Sequence, residues 1–319
     1  MKKIAVLTSG GDAPGMNACL RSIIRSAIYF GMEVYGVKRG YYGLVYDDII
    51  PMGMRSVSDI VQRGGTILHT ARCMEFKEKD GQMKAVKTLQ SRGIEGLVVI
   101  GGDSSFRGAK DLSELGIPTI GIPGTIDNDL AYTDYTLGFD TAVNTCLDVI
   151  NKLRDTMNSH ERISIVEVMG RNCGDIALYS GLAGGAEVIV IPEKKTNMAE
   201  IVAKINRSRE RGKSSNIVVL AEGAGDADKF GEELQKQTHY SVRSTTVGHM
   251  QRGGSPSMAD RILASQFGYR AVELLRDGIG NRVVGIVDNK IIDYDIIEAL
   301  NMKRKVNEKL IEIADRISM

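Results

Sequence analysis

Apolar and polar positions along this chain are grouped in blocks rather than interleaved singly. The runs KIAVLTSGGD, VYGVKRG, GLVVIGGD, TIGIPGTIDND, ISIVEVMGR, EVIVIPE and NIVVLAEG are rich in Val and Ile, and each ends in glycine or a polar cluster. None alternates with a clean period of two, as expected of strands covered on both faces of a parallel sheet. Helical patterns lie between them. In GMNACLRSIIRSAIYFG, Leu20, Ile23, Ile24, Ala27 and Ile28 recur at helical spacing, while Arg21 and Arg25 fall one turn apart on another face. The alternation predicts an α/β fold of the doubly wound, three-layer kind with a mainly parallel sheet. Because the pattern restarts near HERISIVEVMGR, a second such domain is expected to begin around residues 138 to 160, with the active-site cleft between the two.

In such sheets ligands gather at the carboxyl ends of the strands, where loops and helix N-termini present unpaired N–H groups. TSGGD, GGDSS, PGTIDND, MGR and AEG all occupy positions of that type. In SGGDAPGMN, Gly10 and Gly11 precede a helix and suit either a phosphate held close to the backbone or a tight turn. VVIGGDSSFRGAK repeats the device with Asp103, Ser104 and Ser105. Asp103 fits two roles, a carboxylate holding Mg²⁺ against nucleotide phosphates or a helix N-cap. No GxxxxGK[ST] or GxGxxG motif occurs.

PGTIDND is sharper, with Thr125, Asp127 and Asp129 inside five residues. One carboxylate can take a proton from a substrate hydroxyl while its neighbour helps hold a metal, the division of labour that phosphoryl transfer uses. The plainer reading is a solvated Asx-type turn. Arg162, Arg171, Arg243, Arg252 and His249 lie in or beside loops of the later half, as phosphate ligands or as solvated surface. Arg21, Arg25, Arg154, Arg211 and Lys213 form a further basic set with the same two readings.

Composition narrows the picture. The 319 residues are 43% hydrophobic and 25% charged with a formal net charge of +1, ordinary values for a soluble globular protein with a large core. Such a balance gives no global attraction to nucleic acid or an anionic membrane, so neither is expected as a partner. The apolar stretch behind Lys2 and Lys3 is too short for a signal peptide, and no run of ~20 apolar residues appears. Cys19, Cys73, Cys146 and Cys173 are far apart and form no CxxC pair, which points away from zinc and disulfides and toward a cytoplasmic setting.

Taken together, SGGDAPGMN, RGGT with ARC, GGDSS, PGTIDND, RDTMNSHERISIVEVMGRNCGD, AEG and GHMQRGGSP resemble the bacterial ATP-dependent 6-phosphofructokinases over essentially the whole chain. The resemblance implies transfer of the γ-phosphoryl of ATP to the 1-hydroxyl of fructose 6-phosphate, in glycolysis, by an allosteric homotetramer. It implies a larger ATP-binding domain from residues 1–138 and 251–301, and a smaller sugar-phosphate domain from 139–250 and 302–319.

Residue by residue, Asp127 would be the base, Asp103 the Mg²⁺ carboxylate and Asp129 its helper. Gly11, Arg72, Cys73 and the segment Gly102, Asp103, Ser104, Ser105 would surround ATP, with Arg72 and Arg171 neutralising the phosphoryl in flight. Thr125, Ile126, Met169, Gly170, Arg171 and Glu222 would hold fructose 6-phosphate, together with His249, Met250, Gln251 and Arg252. Arg162 and Arg243 would join them from a neighbouring subunit. The effector site, for ADP as activator and phosphoenolpyruvate as inhibitor, would draw on Arg21, Ser22, Ile23, Ile24 and Arg25, and on Arg154, Gly185, Ala186 and Glu187. Arg211, Lys213, Ser214 and Ser215 would complete it.

The chain departs from the family pattern in places. The ATP loop usually reads GGDGS, whereas Ser104 stands here; pyrophosphate-dependent relatives commonly carry Asp at that position and Lys at Gly124. Gly124 therefore favours ATP, while a pyrophosphate donor, or a non-catalytic sugar-phosphate or nucleotide sensor, are the alternative readings. Met54, Ser214 and Ser215 replace groups that are often basic or otherwise polar, which predicts weaker or altered allosteric control.

Overall fold

A computed structural model describes residues 1–157, 159 and 161–318. The chain divides into two compact units, one made of residues 1–126, 130–140 and 252–304, the other of 127–129, 141–251 and 305–319.

The first unit begins with strand β1 (Lys3–Thr8), helix α1 (Met16–Tyr29), β2 (Glu33–Val37), the short α2 (Tyr41–Val45) and β3 (Ile49–Met52). It continues through α3 (Lys79–Ser91), β4 (Gly96–Gly101), α4 (Asp103–Glu114) and β5 (Thr119–Pro123). Helix α5 (Phe139–Met157) leads into the second unit, which holds β6 (Ile163–Val168), α6 (Asp175–Ala183), β7 (Val188–Val190), α7 (Met198–Glu210), β8 (Asn216–Ala221), α8 (Ala227–Thr238) and β9 (Val242–Thr246). The chain then returns to the first unit as α9 (Met258–Arg276), β10 (Arg282–Val287), β11 (Lys290–Asp295) and α10 (Ile296–Asn301), and α11 (Glu308–Ile317) belongs to the second.

The first unit's seven-stranded sheet has the order β11-β10-β5-β4-β1-β2-β3. Its interior is parallel, and only β3 and β11 run antiparallel, at the two edges. β1, β4 and β5 are buried nearly end to end, which is why their sequences read as continuous apolar runs. One face packs Leu97, Val99 and Ala5 against Val86 and Leu89 of α3 and Phe106, Ala109 and Leu112 of α4. α1 and α9 pack on each other and bring Ile23, Ile24, Ala264 and Phe267 to complete burial. Register decides where the loops meet: Thr8 pairs with Ile100, Gly101 with Pro123, and the Ser9 N–H donates to the Ile100 carbonyl at 2.9 Å. The loops leaving β1, β4 and β5 therefore emerge side by side.

The second unit's four strands, ordered β7-β8-β6-β9, are all parallel. Ile163, Ile165, Val188, Val218 and Leu220 pack against Ile205 of α7 and Ala227 and Leu234 of α8. Val168 pairs with Ala221 and Glu167 with Thr246, so the loops after β6, β8 and β9 also emerge together.

Four strands fall outside the apolar runs. β3 and β11 are edge strands, and β9 (VRSTT) lies at a sheet edge with no buried residue, so no apolar run marked it. β10 and β11 form a hairpin whose turn residues Asp288 and Asn289 both adopt positive φ (49° and 60°), as a two-residue turn matched to strand twist requires.

Candidate functional site

In the first unit, the chain leaves β1 and bends into α1. An added Cβ at Gly11 would lie 2.6 Å from Nη1 of Arg252, so glycine there leaves room for a guanidinium that donates to the Asp12 carbonyl at 3.4 Å. After β4, Gly102 takes the N-cap position of α4, and Asp103 is the first helical residue. The N-cap role considered for Asp103 is thus filled by glycine. Its half-exposed carboxylate instead pairs with Arg107 one turn on, at 2.8 Å, and lies where the helix dipole favours negative charge. Ser104 is exposed and Ser105 buried, its carbonyl accepting from the Tyr41 hydroxyl at 2.5 Å.

Gly101 and Gly124 pack tightly: a Cβ on Gly101 would meet Ser105 Oγ at 2.5 Å, and one on Gly124 would meet Ile100 Cγ2 at 2.8 Å. Thr125 and Ile126 are buried, and the Thr125 carbonyl accepts from Thr136 Oγ1 at 2.6 Å. Arg72 is exposed, and Cys73 rests half-buried against the core.

In the second unit, Asp127 is 1% exposed, and its Oδ2 lies 3.3 Å from Nε of Arg171, whose side chain is 64% exposed. A buried carboxylate thus meets a guanidinium that reaches solvent, which offsets part of the cost of burying the charge. Two devices hold this pair. Asn128, in the left-handed region at φ 50°, donates to Oδ2 of Asp175 at 2.9 Å, in the first turn of α6. Arg171, also left-handed at φ 52°, and Gly170 donate their N–H groups to one oxygen, Oε1 of Glu222, at 2.8 and 3.1 Å. Glu222 follows β8 directly, so aligned strand ends bring it to the loop after β6.

Of the other expected sugar ligands, His249 and Met250 are exposed in the turn after β9 and Met169 is half-buried. Gln251 is fully buried. Arg162 and Arg243 lie elsewhere: they stand at the amino ends of β6 and β9, Arg243 opposite Ser164, whereas Arg171 and Glu222 follow the carboxyl ends. A six-residue strand spans about 20 Å. One chain therefore does not bring these two arginines to Asp127.

Among the basic set, Arg154 Nη2 donates to the Gly184 and Gly185 carbonyls, both at 2.6 Å. Glu187 is 4% exposed; it pairs with Lys213 and accepts the Ile217 N–H at 2.5 Å. Gly185, Ala186, Glu187 and Lys213 line a cavity of about 140 Å³ in the second unit, walled also by Ala314, Ile317 and Ser318. That wall had no signal in the sequence. Arg211 is exposed, Ser214 half-buried and Ser215 buried. In the first unit, Arg21 and Arg25 are half-exposed on α1, Ser22 donates to the Ser265 carbonyl at 2.7 Å, and Ile23 and Ile24 face the core. Among the described residues no three His, Cys, Asp or Glu side chains gather to hold a metal, and no helix is long and apolar enough to cross a membrane.

Residues 3–275 match the phosphofructokinase family. The chain is 58% identical over 319 residues to the ATP-dependent 6-phosphofructokinase of Clostridioides difficile (strain 630), and 60% identical over 318 residues to that of Clostridium tetani (strain Massachusetts / E88). Each comparison covers 100% of both chains. Phosphofructokinase from Saccharomyces cerevisiae superimposes with a TM-score of 0.88 at 34% identity, over 100% of this chain and 48% of that one. A pyrophosphate-dependent phosphofructokinase from Marinobacter aquaeolei reaches 0.86 at 23% identity, over 97% of this chain and 86% of that one, a likeness of fold alone.

Proposed function

The chain belongs to the phosphofructokinase family, and we propose that it is an ATP-dependent 6-phosphofructokinase that forms fructose 1,6-bisphosphate and ADP in glycolysis. The observation that carries the reading in the structure is the buried Asp127 carboxylate set 3.3 Å from the exposed Arg171 guanidinium. A base must be shielded enough to hold its proton-accepting geometry, and developing phosphoryl charge needs a cation within reach; this pair offers both. Asp127 takes the proton of the sugar 1-hydroxyl, and Arg171, with Arg72, neutralises the transferring group. Glu222, which fixes the backbone of residues 170 and 171, sets where the guanidinium begins.

Residues of the first unit hold the donor: Gly11, Arg72, Cys73 and the segment from Gly102 to Ser105. Residues of the second hold most of the acceptor's ligands, namely Met169, Gly170, Arg171, Glu222, His249 and Met250, with Thr125, Ile126 and Arg252 assigned to it from the first. Asp103 suits Mg²⁺, since a half-exposed carboxylate is a hard donor and this cation takes most of its ligands from water and phosphate. Bound there with ATP, the ion offsets charge on the phosphates; Asp129 is assigned as its helper. Gly124 supports ATP over pyrophosphate, because pyrophosphate-dependent relatives commonly carry lysine at that position; here an added Cβ would meet Ile100 Cγ2 at 2.8 Å.

Arg162 and Arg243, remote from Asp127 in their own chain, act on the sugar phosphate of a neighbouring subunit in a homotetramer. The cavity beside Glu187 and Lys213, with Arg154 and Arg211 of the same unit, takes ADP or phosphoenolpyruvate; Arg21 and Arg25 are assigned to the effector by the family resemblance alone. The protein works in the cytoplasm. A coupled assay of fructose 6-phosphate and Mg²⁺ with ATP or pyrophosphate, each supplied alone, tests the reading: bisphosphate formed only with pyrophosphate, or with neither, refutes it.

A further inference from the structure

Gln251 is 0% exposed, although it sits in a glycine-rich turn between exposed His249 and Met250 on one side and half-exposed Arg252 on the other. Its amide makes three hydrogen bonds inside the second unit. Oε1 accepts two donors, the Met169 N–H at 3.1 Å and the Cys146 thiol at 3.2 Å, and Nε2 donates to the Gly248 carbonyl at 2.9 Å. An amide oxygen has two lone pairs, so this acceptor is saturated. Cys146 is itself buried on α5, and burial pushes its thiol up to about 12, so it stays a protonated donor throughout the physiological range.

We infer that Gln251 is a positioning residue rather than a sugar ligand: with Cys146 behind it, it clasps the loop carrying Met169 to Arg171 to the turn carrying His249. The physical reason is geometric. The two segments follow β6 and β9, adjacent strands paired as far as Glu167 and Thr246, with one further backbone bond from the Val247 N–H to the Glu167 carbonyl at 3.0 Å. Beyond those residues the ladder ends, and in this unit the Gln251 side chain ties the two segments across. A buried amide oxygen with both acceptor positions filled is costly to remove, because the Met169 N–H and the Cys146 thiol left behind would be unsatisfied and dry. The inference rests on the proposed kinase reading for its consequence, though the clasp itself is a structural statement.

The test compares Gln251→Met, which keeps volume and removes all three bonds, with Cys146→Ala and Cys146→Ser. In Gln251→Met the KM for fructose 6-phosphate rises about tenfold, with the KM for ATP within about twofold of the parent. Cys146→Ala produces a smaller rise of the same kind, Cys146→Ser recovers most of it, and the double variant is no worse than Gln251→Met alone, as expected of residues acting as one unit. Amide hydrogen exchange at Met169 quickens in Gln251→Met and Cys146→Ala, a readout that needs no activity. A rise in KM from Gln251→Met with no effect of Cys146→Ala on KM or exchange would mean that Gln251 meets the sugar directly and would overturn the inference. So would unchanged exchange at Met169 in both variants. A parent protein without kinase activity would sink the functional reading instead, and the exchange result would still decide the clasp.

Discussion

Gly223→Ala is the most exacting perturbation the structure offers. Gly223 does not occupy the left-handed region, so alanine is tolerable as a backbone and only contact decides the cost. An added Cβ would sit 1.9 Å from the carbonyl oxygen of Arg171, 3.0 Å from its carbonyl carbon and 3.4 Å from Cα of Asn172. All three neighbours are backbone, so no side chain can swing aside. The first contact is about 1 Å shorter than any real Cβ makes, and the 171 peptide must retreat by that order. The Gly170 and Arg171 N–H groups are held to Glu222 at 3.1 and 2.8 Å, and Glu222 is the residue next to the substituted one. Retreat stretches one or both of these charge-assisted bonds, each worth roughly 1.5–3 kcal/mol. It also carries the Arg171 guanidinium away from Asp127. A misplacement of about 1 Å at reacting groups costs on the order of a hundredfold in rate, or about 2.7 kcal/mol. Measured by coupled assay of bisphosphate formation, kcat/KM for fructose 6-phosphate therefore falls by about two orders of magnitude. Nucleotide affinity, assigned in the proposed function to loops of the other unit, stays near the parent value. A variant within about threefold of the parent, at unchanged thermal stability, would refute the claim that the Glu222 clamp aims Arg171.

Asp127→Ser removes the proposed base while leaving the other residues assigned to the sugar, so turnover drops by orders of magnitude and fructose 6-phosphate binding, followed by calorimetry, changes little. Near-normal turnover would exclude Asp127 as the base. Tyr132 is 4% exposed, and among the described residues its hydroxyl has no hydrogen-bond partner; Tyr132→Phe is expected to hold or raise stability by up to about 1 kcal/mol in denaturant melts, and a clear loss would reveal a hidden bond. Burial alone would raise the Asp293 carboxyl, but hydrogen bonds from Arg270 and Arg282 outweigh it and hold the group below its ordinary value of 3.8. Its contribution to stability is thus full above pH 3.8 and is lost as pH falls through the lower folded value, so Asp293→Asn weakens the protein at neutral pH and flattens the acid limb of its stability profile. An acid limb as steep as the parent's would contradict that pairing. Sugar-phosphate saturation curves with phosphoenolpyruvate should shift only modestly, given Met54, Ser214 and Ser215 at the expected effector positions, and a strong rightward shift would count against that reading.

The sequence alone determined the α/β class, seven of the strands and the loops that follow them, because a strand covered on both faces must be apolar along its whole length and its polar continuation must mark its carboxyl end. Four strands fell outside those runs: β9 is polar and lies at an edge, β3 and β11 are antiparallel edges whose outer sides need no apolar cover, and β10 (RVVGIV) is apolar at its centre and lies inside the sheet. Glycine doublets and carboxylates were visible, but their duties were not. Gly102, rather than Asp103, takes the helix cap; Gln251 turns inward among residues that otherwise face solvent; and Arg171 reaches Asp127 across 44 positions of chain. Only the tertiary structure could decide these matters, since each depends on strand register. Register is a property of two segments packed together, and neither segment contains it by itself.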